Sequence, residues 1–467
     1  MIATYASAAL ICAVSLLVGR AVLSLAGRRE WSWLEPAVGF GAVLTVTGLL
    51  ARAPGHGTSA TLGVVLLALA AAAIVWWIDF HGPGAWREGL PVALVIVILL
   101  SIPFAVSGRW GLLGMGFNND LGLHLAWAEW LRSGFGPDAE PGYPLGPHGL
   151  AVAIATVPGI GLGQAFIGEI IAIGVMTGLT ALGALRKLTP GRRTLGAAMV
   201  ALPYLAASYY AQAAFKETAE ALLVLAFAIW LSTIFKEQET GTVPGGSRSP
   251  APDAQPRARR AVSGVGLLLP PLALTGGIFF SYSFAGVAWP VAILALWSLT
   301  LPAVRAALRP RSLLRFLLRP LTLLGLVVLA GLAFLVTIGP LGFAGAFNKV
   351  AASNTYGPVS ALEALGIWPT SNYRLDAEGS VRLPGLAGTI SILALLVGIA
   401  WWTRRRELTM PIALGAATLL YLTSLPTSGD YSQAKALMIM APLAMLVIVR
   451  PLLEEFPGLR RGGRGSA

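Results

Sequence analysis

A chain of 467 residues with 33 Lys and Arg against 21 Asp and Glu has a formal net charge of +12, yet 56% of it is hydrophobic and only 12% is charged. That composition, with a mean hydropathy of +0.74, excludes an ordinary soluble domain and places the chain in a bilayer. The basic excess does not argue for nucleic acid, because it sits in short loops flanking apolar runs, where anionic headgroups lie close. The single cysteine, Cys12, excludes an intramolecular disulfide and a Cys-based metal site.

Apolar runs of about 17 to 25 residues recur along the chain, and a helix rising ~1.5 Å per residue crosses a ~30 Å hydrocarbon core in about 20 residues. The predicted fold class is an all-α integral membrane protein. About thirteen spans are expected, at 2–26, 36–52, 60–78, 89–107, 164–186, 194–211, 217–235, 262–281, 284–304, 320–340, 386–402, 408–424 and 434–450. The stretch 149–163 is short and holds Pro158, Gly159, Gly161 and Gly163, so it is expected to be juxtamembrane or re-entrant.

With the N-terminus outside, most of the 33 Lys and Arg fall in the inner loops, while the outer loops are slightly acidic. That asymmetry obeys the positive-inside rule, and a full span at 149–163 would destroy it. The chain divides into N-terminal helices at 1–88, a core at 89–235 with outer loop 108–148, and C-terminal helices at 265–459 with outer loop 341–385. The Pro/Ser/Gly/Arg-rich stretch 236–264 reads as a disordered cytoplasmic linker, and 460–467 as a disordered tail.

Polar groups near a membrane face are costly, so the outer loops are where chemistry is sought. In the first, Asn118-Asn119-Asp120 precedes a helix in which Asp120 and His124 share one face, four residues apart; Tyr143 and His148 follow in Gly142-Tyr-Pro-Leu-Gly-Pro-His. A carboxylate among amides and an imidazole suits removal of a proton from an acceptor hydroxyl; the plainer alternative is a helix cap. A second place, Ser208-Tyr-Tyr-Ala-Gln through Glu220, sets Lys216 four residues before Glu220, with Tyr210 and Gln212 just upstream. There the plain alternative is a Lys216–Glu220 ion pair. The long loop 341–385 contributes Tyr356, Trp368, Tyr373 and Arg374, aromatics and polar groups suited to sugar faces and hydroxyls. The last loop sets Asp430, Tyr431 and Lys435 at the start of the final span.

The order of these features resembles the GT-C superfamily of polyprenyl-phosphate-sugar glycosyltransferases: an acidic residue in the first large outer loop, a helix with His, Tyr-Pro-x-Gly-x-His, an apolar stretch, one span and the basic turn Arg186-Lys187. The likeness is good over 89–235 and loose beyond, and three extra spans precede it. It implies an arabinofuranosyl- or mannosyltransferase-like enzyme of the bacterial plasma membrane, acting on its outer side on a polyprenyl-phosphate-linked sugar and a glycan or glycolipid acceptor. Asp120 then maps onto the general base, beside His124. Lys216, Glu220, Tyr210, Gln212, Lys435 and Arg374 are candidates for the donor and its phosphate; Asn119, Tyr143, His148, Tyr356, Trp368 and Tyr373 for the acceptor. No cofactor is expected. His124 and His148 lack a recognised metal-ligand spacing, and Asn119 stands where metal-dependent relatives pair their acids, so no metal is expected either. A transporter, which should show paired halves with broken helices, and an arginine-based polysaccharide polymerase or ligase are the other readings.

Overall fold

Prolines set the starts of several helices. Pro36, Pro147, Pro190 and Pro270 stand in first turns, where the missing N–H forfeits no intrahelical bond and the fixed φ already suits the helix. A computed structural model of the protein describes residues 1–28, 30–78, 85–111, 113, 120–140, 142–239, 266–301, 359–366, 385–426 and 428–455. These form α1 (Ile2–Leu25), α2 (Glu35–Leu50), α3 (Gly57–Trp77), α4 (Trp86–Ser107), α5 (Asp120–Ser133), α6 (Gly146–Thr156) and α7 (Leu162–Leu182). Then come α8 (Pro190–Ala201), α9 (Tyr204–Ala211), α10 (Lys216–Glu239), α11 (Leu269–Ser298), a 3₁₀ turn at Ala361–Leu365, α12 (Gly385–Arg404), α13 (Thr409–Ser424) and α14 (Asp430–Glu455). No strand occurs among the described residues.

Seven of these helices, α1, α3, α4, α7, α10, α11 and α14, are long and apolar enough to cross a membrane; α2, α12 and α13 are shorter apolar helices. Among the described residues the chain is therefore all-helical and membrane-type; seven helices long and apolar enough to cross stand against thirteen expected spans, a number that is not confirmed. The expected span at 320–340 and the tail at 460–467 lie outside the described residues; of the expected linker 236–264, residues 236–239 are helical, the last turn of α10, and the rest lies outside the described residues.

Three expected spans take a different form. The run 194–211 is not one helix: Leu202 leaves the helical region (φ −128, ψ 51) because Pro203 follows it, and α8 and α9 meet there. The Tyr204 N–H that the break strands donates instead to the Gly366 carbonyl, 2.8 Å away, beside the 3₁₀ turn. Conversely, 262–281 and 284–304 form the single element α11, interrupted at Ser283 (φ 68, ψ −160). A Cβ on Gly286 would lie 3.0 Å from Ile278 Cγ2, whereas eight residues of straight helix separate atoms by about 12 Å. The chain thus turns sharply at Ser283, and the two expected spans form the two apolar arms of one element.

Contacts sort the helix ends onto two faces. On one, Tyr5 at the start of α1 bonds Ser101 near the end of α4 (2.7 Å), and Thr47 near the end of α2 donates to Gly146 O at the start of α6 (2.8 Å). On the opposite face Arg193 meets Glu88 (2.7 Å), Arg450 meets Glu407 (2.8 Å), Arg405 meets Glu454 (3.2 Å), and Arg20 meets Glu35 (3.1 Å) within the bundle. Arg28, Arg186, Lys187, Arg404 and Arg406 lie at the ends of helices on that same face. Helix α7 is buried along its whole apolar length and α10 and α14 along most of theirs, whereas α3 and α4 expose Leu62, Leu66, Leu94 and Ile98, a rim suited to lipid. Where α1 crosses α2 the backbones touch: a Cβ on Gly39 would fall 1.7 Å from the Ser15 carbonyl oxygen, so only glycine fits.

Candidate functional site

The polar side chains buried on the less basic face converge from six elements. Helix α5, laid across the mouths of α3, α6 and α7, turns His124 inward. The turn before α6 supplies Tyr143, and α6 itself supplies His148. The α9–α10 corner, held by a left-handed Ala213 (φ 59), delivers Phe215 and Lys216 to the same place. Such a conformation is strained for a residue with a side chain and is a feature that clusters at functional sites.

These groups form an aromatic cage with two imidazoles inside it. The His148 and His124 rings touch through His148 Nε2 and His124 Nδ1, 3.2 Å apart. Phe215 packs edge-on against both, at 4.9 and 5.5 Å between centroids, while Phe166 closes the cage behind His148 and Trp127 and Tyr143 flank His124. Lys216 hydrogen-bonds the Tyr143 hydroxyl and sits 4.6 Å above its ring. Burial is the main cause that holds both imidazoles neutral, reinforced by the Lys216 charge; His148 is pushed down to about 3 and His124 well below its ordinary value.

A second cluster lies beside the first, one turn deeper. Lys435 of α14 bonds Glu217 of α10 at 2.8 Å, both nearly buried, and stands 4.1 Å over Tyr431 and 5.9 Å over Tyr282 at the α11 reversal. Glu217 occupies the first turn of α10, where the helix dipole favours a carboxylate. Glu220, one turn further, is fully buried with no hydrogen-bond partner on either oxygen among the described residues, and faces the Gly286 backbone. The alternative reading of Lys216 and Glu220 as an ion pair is therefore not met; the ion pair is between Glu217 and Lys435, on different helices.

The predicted site residues fall into three groups. His124, Tyr143, His148, Lys216, Glu220 and Lys435 are gathered in these two clusters, and Gln212 stands half-buried at the α9–α10 corner, bonded to Ser208 (3.1 Å). His148, expected to meet an acceptor, is wholly enclosed and reaches the open side only through His124. Tyr210, expected near a sugar, is buried and instead lines an apolar cavity of about 740 Å³ between α4, α7, α8 and α9, walled by Leu99, Pro103, Ile171, Leu195 and Met199. That cavity runs the length of α8 and ends at Tyr210 and Ala211, just before the α9–α10 corner in the chain; no side chain of the two charged clusters lines it. Asp120 opens α5, one turn before His124, but its side chain lies outside the described residues, as do Asn119, Tyr356, Trp368, Tyr373 and Arg374.

The sequence reading missed Phe166, Phe215 and Tyr282. One signal was present for Tyr282: Ser281-Tyr-Ser is a polar island in an otherwise apolar run. No protein-family model, curated protein or solved structure matches the chain.

Proposed function

We propose that this protein is a membrane glycosyltransferase of the GT-C type, moving a sugar from a polyprenyl-phosphate donor to an envelope glycan or glycolipid on the outer side of a bacterial plasma membrane. The observation that carries the reading is the presence of two kinds of site in one bundle: a cationic, aromatic-lined cluster at one face, and an apolar cavity of about 740 Å³ beside the lipid-facing helix α4, lined at one end by α9, the helix that precedes Lys216. A lipid phosphate needs both. Its tail calls for an apolar groove inside the bilayer, and its headgroup for fixed positive charge at the surface.

The basic rim on the opposite face supports the sidedness, since Lys and Arg are retained on the cytoplasmic side. In this scheme Lys216, half-buried at the mouth, meets the donor phosphate, while Lys435, already matched by Glu217, sets the position of α10 rather than acting first. Tyr143, stacked under Lys216, offers a ring face to a sugar. Asp120, at the start of α5, takes the acceptor proton in an inverting displacement. The protein's contribution is orientation of two substrates and neutralisation of a departing phosphate.

The test is transfer by the purified protein. Incubated with radiolabelled decaprenyl-phosphoarabinose or polyprenyl-phosphomannose and an envelope extract, it should move label into a glycan or glycolipid fraction. No transfer from any polyprenyl-phosphate donor would refute the reading.

A further inference from the structure

The two histidines make an asymmetric pair. His148 Nε2 and His124 Nδ1 share one hydrogen bond at 3.2 Å, while His148 Nδ1 is buried among the rings with no partner among the described residues. Both imidazoles are neutral in this cage, so each carries one proton and only two arrangements are open. If His124 donates from Nδ1, the His148 proton must sit on its Nδ1 as a buried N–H without an acceptor. If His148 donates from Nε2, the atom left over is a lone pair. A buried orphan N–H is the costlier and rarer of the two.

We infer that His148 locks His124 in the Nε2–H tautomer, making His124 a permanent hydrogen-bond donor that, together with Lys216, holds a phosphate oxygen at the mouth of the site. His148 is then a positioning residue: it touches no ligand but decides which His124 nitrogen bears the proton. His124 in turn cannot act as a base, since its basic nitrogen is occupied by His148. Lys216 lies close enough to influence both rings and, through Tyr143, shares their cage. A cation beside a neutral N–H donor suits an anion that must be bound and later released without a proton changing hands. This inference rests on the donor being a lipid phosphate only for the identity of the anion; the tautomer stands or falls by itself.

The experiment is ¹⁵N NMR of the full-length protein labelled at histidine, in nanodiscs, with the His124 signals assigned by their loss in His124→Asn. The expected spectrum has a protonated Nε2 and an unprotonated Nδ1 on His124, unchanged between about pH 5 and 8, the range over which an ordinary imidazole titrates. His148→Phe keeps a ring in the cage but removes the donor, so the two tautomers of His124 should mix. His148→Gln returns an amide N–H near the place of Nε2 and should restore the single form. A protonated Nδ1 in the native protein, titration within that range, or an unaltered His124 spectrum in His148→Phe would overturn the proposal.

Two probes then identify the anion. Farnesyl phosphate should shift the His124 Nε2–H resonance, and inorganic phosphate should do so weakly. Equal response to inorganic phosphate keeps the donor role but makes free phosphate the ligand, which counts against the lipid-donor reading above. Response to neither overturns the role of His124 in anion binding.

Discussion

Breaking the Glu217–Lys435 pair gives the sharpest measurable consequence. The two charges meet at 2.8 Å with side chains 4% and 11% exposed, joining two of the most buried helices, α10 and α14. Removing one partner leaves the other charge buried and uncompensated, at a cost of roughly 3 to 5 kcal/mol. Replacing both with apolar or neutral residues of similar size is often close to neutral, because the desolvation of two ions is relieved at once. Lys435→Met and Glu217→Gln should therefore each lower stability by about 3 kcal/mol or more, and the double variant should recover most of that loss. Unfolding by SDS in mixed micelles, followed by tryptophan fluorescence, gives the four corners of the cycle. Additive losses, or single variants as stable as the native protein, would show that the pair does not hold α10 to α14. If Lys435 instead met the donor phosphate as its main task, Lys435→Met would weaken donor binding with little change in unfolding.

Three further outcomes are expected. Asp120→Asn should leave lipid-donor affinity unchanged while turnover falls by about 10²-fold or more, the range for a lost general base, as measured by single-turnover transfer of labelled sugar; near-native turnover would remove Asp120 from the chemistry. With Cys12 replaced, a cysteine at exposed Asp138 should react with an impermeant maleimide in intact cells and one at exposed Lys187 should not; the reverse pattern would invert the topology. Acid should weaken the fold through the histidines. Because their folded values lie below the ordinary value near 6.5, the unfolded chain binds more protons below that pH, so stability is complete above about 6.5 and declines as pH falls, by about 1.4 kcal/mol per pH unit for each neutral imidazole. His148→Phe should flatten that slope, read by thermal unfolding from pH 7 to 5.

The membrane class and the helix opening at Asp120 were legible because each depends on local pattern: apolar run length and spacing of four. The stretch 149–163 forms most of the short helix α6 (Gly146–Thr156) and the turn after it. What pattern could not give was pairing between distant helices. Lys216 and Glu220 stand at ion-pair spacing, yet Glu217 found Lys435 more than 200 residues away, because burial of both helices brings their first turns together. Likewise Tyr210 and His148 look like site residues from their types, and only packing decides that one lines an apolar cavity and the other hides behind His124. Pro203 is the local signal for the break inside the 18-residue apolar run 194–211.

That break has a bearing on the long stretch between α11 and α12. Part-way across a bilayer there is no water to take up a freed backbone amide, so an interrupted helix needs another piece of chain to serve as its solvent. Here Gly366 does so, giving its carbonyl to the Tyr204 N–H, with the 3₁₀ turn Ala361–Leu365 packed against α9, α12 and α14. The described residues 359–366, easily trimmed on sight as a peripheral connector, are thus packed into the bundle against the last helix. Removing them would cut into the bundle rather than its surroundings.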